Sequence, residues 1–192
     1  MRTQARAVVI GGGVVGVSTL YHLARKGWSD VVLVERKELT SGSTWHAAGL
    51  LPLFNMSYSV GQIHKYSVAL YPKLEAETGQ NVGFRQVSNI RLARTRDRMD
   101  EFLFYKGVAE TIGVEVELLS PGQVKELWPL CETEGLLGAI RHPADGYVQP
   151  ADLTQALAKG ARALGAEINR NTLVTAIERG AAGDWLVRTD KG

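Results

Sequence analysis

Three glycines, Gly11, Gly13 and Gly16, form G-x-G-x-x-G, a spacing that permits a tight turn, close approach to a diphosphate and packing of the next helix on a sheet. What flanks the motif gives it meaning. Ala7 to Ile10 before it is a short, β-branched apolar run. Val14 to Lys26 after it carries apolar residues at intervals of three and four. The glycines therefore open a helix whose first amides, those of Val14 and Val15 included, attract an anion without help from Lys or Arg. Glu35 ends the next apolar run, Val31 to Val34, about 20 residues beyond Gly16, where a carboxylate accepts hydrogen bonds from ribose hydroxyls. The same charge repels a 2′-phosphate, which excludes NADP.

The segment Thr40 to Leu50, T-S-G-S-T-W-H-A-A-G-L, is built largely from small residues, which let backbone and hydroxyls reach a ligand. Placed just beyond a second strand, it is expected to pass beneath the diphosphate at Gly42, Ser43 and Thr44 and to bring His46 and Ala47 toward a flavin ring. A nicotinamide site has little use for such a segment. His46 adds reactivity, because a neutral imidazole nitrogen is a competent nucleophile near pH 7.

The elements that must position these residues follow from periodicity and punctuation. Residues 7–35 read as strand, helix, strand, one right-handed βαβ unit, with Gly27 ending the helix. Both strands look like strands covered on two faces. The βα alternation then stops. Val60 to Thr78 is predicted as a helix kinked at Pro72, Asn89 to Ala93 as a strand, and Arg96 to Ile112 as a second helix. Ser120, Pro121 and Gln123 give a capping-box helix start. Pro150 to Leu164 is a further helix, Ala166 to Asn169 and Thr172 to Ile177 are strands, and Trp185 to Thr189 is a strand after the turn at Gly180 to Asp184.

The expected class is α/β: a Rossmann-like βαβ unit with an inserted α+β segment. The expected division is residues 1–50, 51–145 and 146–192, the last an incomplete return to the first domain. A final strand expected to lack a partner, at a turn signal, suggests the N-terminal fragment of a longer chain, prone to aggregate through an open sheet edge.

The 192 residues carry 22 Lys and Arg against 20 Asp and Glu, a formal charge of +2, too balanced to predict nucleic acid or anionic membrane as a partner. Cys131 is the single cysteine, so neither an internal disulfide nor a thiolate metal cluster is available. The polar start leads straight into a strand, leaving no room for a signal or transit peptide, and no apolar run approaches the ~18 residues of a membrane span. A soluble, cytoplasmic protein without a metal is expected.

His22, His64 and His142 read as structural. Arg85, Arg91, Arg94, Arg96 and Arg98 surround the inserted strand and read mainly as a solvated basic face, with Arg91 as the member best placed to hold a substrate carboxylate. Trp45, Phe54, Tyr58 and Tyr66 could wall an amine pocket by cation–π contact or serve ordinary packing.

The runs V-V-I-G-G-G-V-V-G, V-L-V-E-R and above all G-S-T-W-H-A-A-G-L resemble the glycine and sarcosine oxidase superfamily of FAD enzymes, D-amino acid oxidase-like, within it the dimethylglycine and sarcosine dehydrogenase branch. D-G-Y-V-Q-P-A-D-L-T-Q-A-L-A-K-G-A-R-A-L-G-A followed by N-T-L-V-T-A-I-E is similar to the return of that superfamily to its FAD domain. The resemblance implies FAD held by Gly11, Gly13, Val14, Val15, Gly16, Glu35, Arg36, Gly42, Ser43, Thr44, His46, Ala47, Gly49, Leu50 and Val174. It further implies a covalent bond from His46 to the flavin 8α carbon. The implied reaction is oxidative demethylation of a small N-methylated amino acid, dimethylglycine or sarcosine, with the flavin N5 as hydride acceptor. An electron-transfer flavoprotein or oxygen would take the electrons, and tetrahydrofolate would enter only in a longer parent chain. No catalytic acid or base is assigned. Two alternatives stay open: another amine or amino-acid oxidase of the superfamily, and a non-enzymatic phosphatase regulatory homologue that keeps the flavin signature.

Overall fold

The computed structural model describes residues 2–52 and 57–192, so Phe54 lies outside the described residues. In chain order the elements are β1 (Ala7–Ile10), α1 (Val14–Arg25), β2 (Val31–Val34), a 3-10 turn at Ser43–His46, β3 (Leu50–Leu51), α2 (Tyr58–Thr78) and β4 (Arg85–Gln86). There follow β5 (Asn89–Ala93), α3 (Arg96–Ile112), β6 (Glu117–Leu119), α4 (Pro121–Leu127), β7 (Gly138–His142), β8 (Gly146–Tyr147), α5 (Pro150–Ala163), β9 (Glu167–Asn169), β10 (Val174–Arg179) and β11 (Trp185–Thr189). The chain forms two compact units.

The first unit comprises Met1–Gly49, Lys73–Gly83 and Gln149–Gly192. Its sheet is parallel, with β2 between β1 and β9, so the long connection after β2 returns to the strand's other edge as in a doubly wound fold. β2 is buried along its whole length because it has a strand on each side. β1 departs from the expectation of two covered faces. Its residues alternate between half-buried and exposed, with Val8 at 39% and Ile10 at 48% exposure, because β1 is an edge strand in this sheet.

Helices α1 and α5 pack on each other at Gly160, where an added Cβ would come within 2.7 Å of the Tyr21 ring. The buried Tyr21 hydroxyl donates to Glu77 at 2.5 Å, which ties the last turn of α2 to this pair of helices. A second correction concerns β11, expected to lack a partner. It pairs antiparallel with β10 from Val174↔Thr189 to Arg179↔Trp185, because the Gly180 to Asp184 segment closes a hairpin through the Gly180 amide and the Asp184 carbonyl.

The second unit comprises Leu50–Pro72 and Phe84–Val148. Its main sheet is antiparallel, with β7 between β5 and β6. Phe102 of α3 packs with Ala93 and Ile140, while Val124 of α4 packs with Leu119 and Ala139. Both helices begin on side-chain caps: Thr95 accepts from the Arg98 amide, and Ser120 and Gln123 form the reciprocal box expected from sequence. The smaller sheet places β8 between β3 and β4, and β8 depends on Gly146, whose Cβ would fall 2.1 Å from the Arg85 carbonyl oxygen.

Candidate dinucleotide site

Each glycine that the motif names meets a different constraint in the turn, backbone conformation at Gly11 and close contacts at Gly13 and Gly16. Gly11 has φ +110°, in the left-handed region, and its amide donates to the Val34 carbonyl at 2.9 Å. Gly16 lies so near the turn that a Cβ would sit 2.1 Å from the Gly11 carbonyl oxygen. Gly13 is the N-cap of α1 and has no side chain to satisfy the amides beyond it. Thr44 satisfies one of them from a distance in sequence: its hydroxyl oxygen accepts from the Val14 amide at 2.9 Å.

Glu35 is locked to the turn. Its carboxylate accepts from the Gly12 amide at 2.6 Å and from the Lys37 amide at 2.8 Å, which fixes its rotamer at the end of β2 while leaving acceptor capacity for further donors. The backbone of Glu35 is clamped from β9 and the residues after it, donating to Asn169 at 2.8 Å and accepting from Thr172 at 2.9 Å. Val174 opens β10 two residues after that clamp. Glu38 lies on the same edge, where hydrogen bonds from Asn171 and Arg170, with the Arg170 charge, hold its carboxyl below the usual carboxylate range. Arg36 is exposed beside it.

The small-residue segment is tied by three bonds, two of them to the glycine turn and one within itself. Besides Thr44 to Val14, the Thr40 amide donates to the Gly12 carbonyl at 3.0 Å, and the Trp45 amide donates to the Thr40 carbonyl at 3.1 Å. Gly42, Ser43, Trp45, His46 and Ala47 are exposed, Trp45 at 70%. Gly49 has φ +74°, and Leu50 opens β3 in the second unit.

Two residues escaped sequence reading. Gly12, a motif "x", cannot carry a side chain either, since a Cβ would lie 2.6 Å from Leu39 and 2.9 Å from Glu35; the run of three consecutive glycines was the available signal. Thr40 is buried with φ +71°, a strained conformation for a β-branched residue. No sequence signal marks it, since nothing about a threonine announces a left-handed backbone.

The remaining candidates are dispersed. His142 is fully buried in β7, and burial, aided by the nearby Arg91 charge, depresses its pKa to about 4. Arg94 donates to the Glu134 carbonyl at 2.8 Å and Arg98 pairs with Glu101 at 2.6 Å, so these two arginines hold local structure. Arg91 lies in β5 opposite Ile140. Among the described residues no cluster of His, Cys, Asp or Glu has metal-binding geometry, and no helix is long and apolar enough to cross a membrane.

The residues of the turn fit a dinucleotide by the chemistry of their donor set. Backbone amides at a helix N-terminus suit a diphosphate, glycines leave no Cβ in its path, and a fixed carboxylate at the end of β2 suits ribose hydroxyls. A parallel β1–α1–β2 unit bearing this turn defines a dinucleotide-binding α/β protein. Residues 6–192 match the family described as FAD dependent oxidoreductase, and the chain belongs to that family.

Over 191 residues the chain is 45% identical to human mitochondrial dimethylglycine dehydrogenase, covering 100% of this chain and 22% of that protein. It is 38% identical over 191 residues to the mitochondrial pyruvate dehydrogenase phosphatase regulatory subunit of Mus musculus, covering 98% of this chain and 22% of that one. Among solved structures, L-proline dehydrogenase from P. horikoshii superposes with a TM-score of 0.92 at 28% identity, over 100% of this chain and 50% of that chain. The chain thus spans about a fifth of the length of these two curated relatives.

Proposed function

We propose that this chain holds FAD for an enzyme that oxidises N-methylated glycines, dimethylglycine or sarcosine, at an N-methyl carbon. The observation that carries the FAD half of the reading is the bond from the Gly12 amide to the Glu35 carboxylate, which joins the diphosphate turn and the ribose acceptor into one preformed cradle, and the substrate half is supported by the 45% identity to dimethylglycine dehydrogenase. Gly11, Gly13, Val15 and Gly16 would line the diphosphate beside Val14, whose amide is held by Thr44, with Glu35 and Arg36 at the ribose end and Val174 on the adenosine side. Gly42, Ser43, Thr44, Ala47, Gly49 and Leu50 would form the run toward the flavin ring.

His46 is exposed at the end of its 3-10 turn, which suits attachment to the cofactor. Its imidazole nitrogen would replace one hydrogen of the flavin 8α carbon, two protons leaving and two electrons passing to dioxygen. When bound, FAD supplies a hydride acceptor at N5. The products expected of such an enzyme would be formaldehyde and the demethylated amine, with tetrahydrofolate as one-carbon acceptor where a longer chain provides it. The electron acceptor would be an electron-transfer flavoprotein or oxygen. Residence in the cytoplasm belongs to the same reading, with the mitochondrial relatives marking the alternative that cell fractionation tests.

The similarity to a phosphatase regulatory subunit favours one second reading, a flavin-signature protein without turnover. Anaerobic titration of the protein at its encoded length separates the two. Dimethylglycine or sarcosine is expected to bleach the flavin absorbance near 450 nm within about a second of mixing, at the ~1–10³ s⁻¹ turnover typical of enzymes. A flavin that stays oxidised with every N-methyl amine would favour the regulatory reading.

A further inference from the structure

We propose that Thr44 is a positioning residue: its hydroxyl latches the 3-10 turn that carries His46 onto the N-terminus of α1, and so governs both how tightly FAD is held and whether His46 reaches it. The inference rests on the FAD reading above. Thr44 is 7% exposed, and its oxygen takes the Val14 amide proton at 2.9 Å. A cap for a helix start is ordinarily supplied by the residue just before the helix. Here that residue is Gly13, which has no side chain and whose Cβ, if present, would approach the Thr44 oxygen to 3.1 Å. The cap is therefore imported from 30 residues downstream, and the glycine that admits a diphosphate also makes room for it.

Two further features single out this latch. The backbone on its N-terminal side is pinned at Thr40, which accepts strain at φ +71° while donating to Gly12 and accepting from Trp45. A left-handed β-branched residue persists only where surrounding bonds hold it. The Ala47 amide also bonds back to the Thr44 carbonyl at 3.2 Å, so His46 sits inside a turn closed on both sides by Thr44. Electrostatics gives the hydroxyl a second use. It accepts from Val14, so its own proton remains to be donated, and the Val14 amide is withdrawn from the anion-binding set. That leaves the Gly13, Val15 and Gly16 amides as donors at this terminus.

The test uses the protein at its encoded length, with Thr44→Val, which keeps shape and removes the acceptor, and Thr44→Ser, which keeps the hydroxyl. Dissociable FAD binding is measured by flavin fluorescence quenching in a His46→Ala background, and attached flavin by fluorescence on denaturing gels in the His46 background. Thr44→Val is expected to weaken FAD about tenfold, the usual scale of a lost cap, and to lower the attached fraction. Thr44→Ser is expected to stay within about twofold of the parent.

Equal Kd and equal attachment in Thr44→Val and parent would overturn the inference. So would equal losses in Thr44→Val and Thr44→Ser, since the hydroxyl would then be irrelevant. Should Thr44→Val fail to fold, exchange of the Val14 amide in the FAD-free parent decides. Slow exchange relative to Val15 supports the latch, and equal exchange refutes it. If the parent carries no attached flavin, the His46 reading fails while the Kd comparison still tests Thr44.

Discussion

Gly16→Ala is expected to abolish FAD retention through gel filtration and to raise the FAD Kd by up to about a hundredfold. The added Cβ would sit 2.1 Å from the Gly11 carbonyl oxygen, and the obstacle is backbone, which cannot swing aside as a flexible side chain would. Relief requires α1 to move away from the end of β1, and that movement carries the Val15 amide and its neighbours off the position where a diphosphate would meet them. Overpacking of a tight site costs about 1–3 kcal/mol, and a hundredfold in Kd corresponds to about 3 kcal/mol. Gly27→Ala is a useful control, since Gly27 has φ +86° with nothing within 4 Å of the added Cβ. It should lower stability without a selective effect on FAD. Isothermal titration of FAD into the apoproteins checks this, and a Gly16→Ala protein binding FAD like the parent would show that the turn is not the cradle.

The second large effect is a loss of stability in acid that traces to His142. Its side chain is fully buried, and burial, with Arg91 nearby, lowers its pKa from 6.5 to about 4. In the folded protein the imidazole thus stays neutral down to about pH 4, whereas in the unfolded chain it takes a proton below about pH 6.5. Between those values the unfolded state binds more protons, so stability is fully present above pH 6.5, falls as pH drops toward 4, and levels below it. The shift is worth about 3 kcal/mol over that window. Urea midpoints of parent and His142→Asn, measured from pH 7.5 to 4, should converge as pH falls, because the variant has no such group to protonate. Parallel curves would show that His142 does not drive the loss.

Much of this could be read in the sequence where a local rule speaks alone. β1, α1 and β2 were legible because glycine spacing, apolar periodicity and the Glu35 position all agree. The box at Ser120 and Gln123 was legible because both halves lie in one turn of chain. Three things were not legible, each for a physical reason. The exposure of Val8 and Ile10 depends on which strands flank β1, and an apolar run looks the same at an edge or in the middle. The β10–β11 pairing depends on the hairpin bond at Gly180 and Asp184. Thr44 was named as a residue of the dinucleotide segment, but its partner, the Val14 amide, is a backbone group and leaves no trace in the sequence. Thr40 was hidden for the same reason, since what pins it comes from Gly12 and Trp45 by folding.

The central proposal is that the glycine turn holds FAD and presents the flavin to His46. Denaturing gel electrophoresis with in-gel flavin fluorescence, on the protein at its encoded length and on His46→Ala, both made in riboflavin-sufficient cells, measures that. A fluorescent band that survives denaturation in the parent and vanishes in His46→Ala is the predicted result. A parent without a band, or a band that persists in the variant, would contradict the assignment of His46 as the point of attachment.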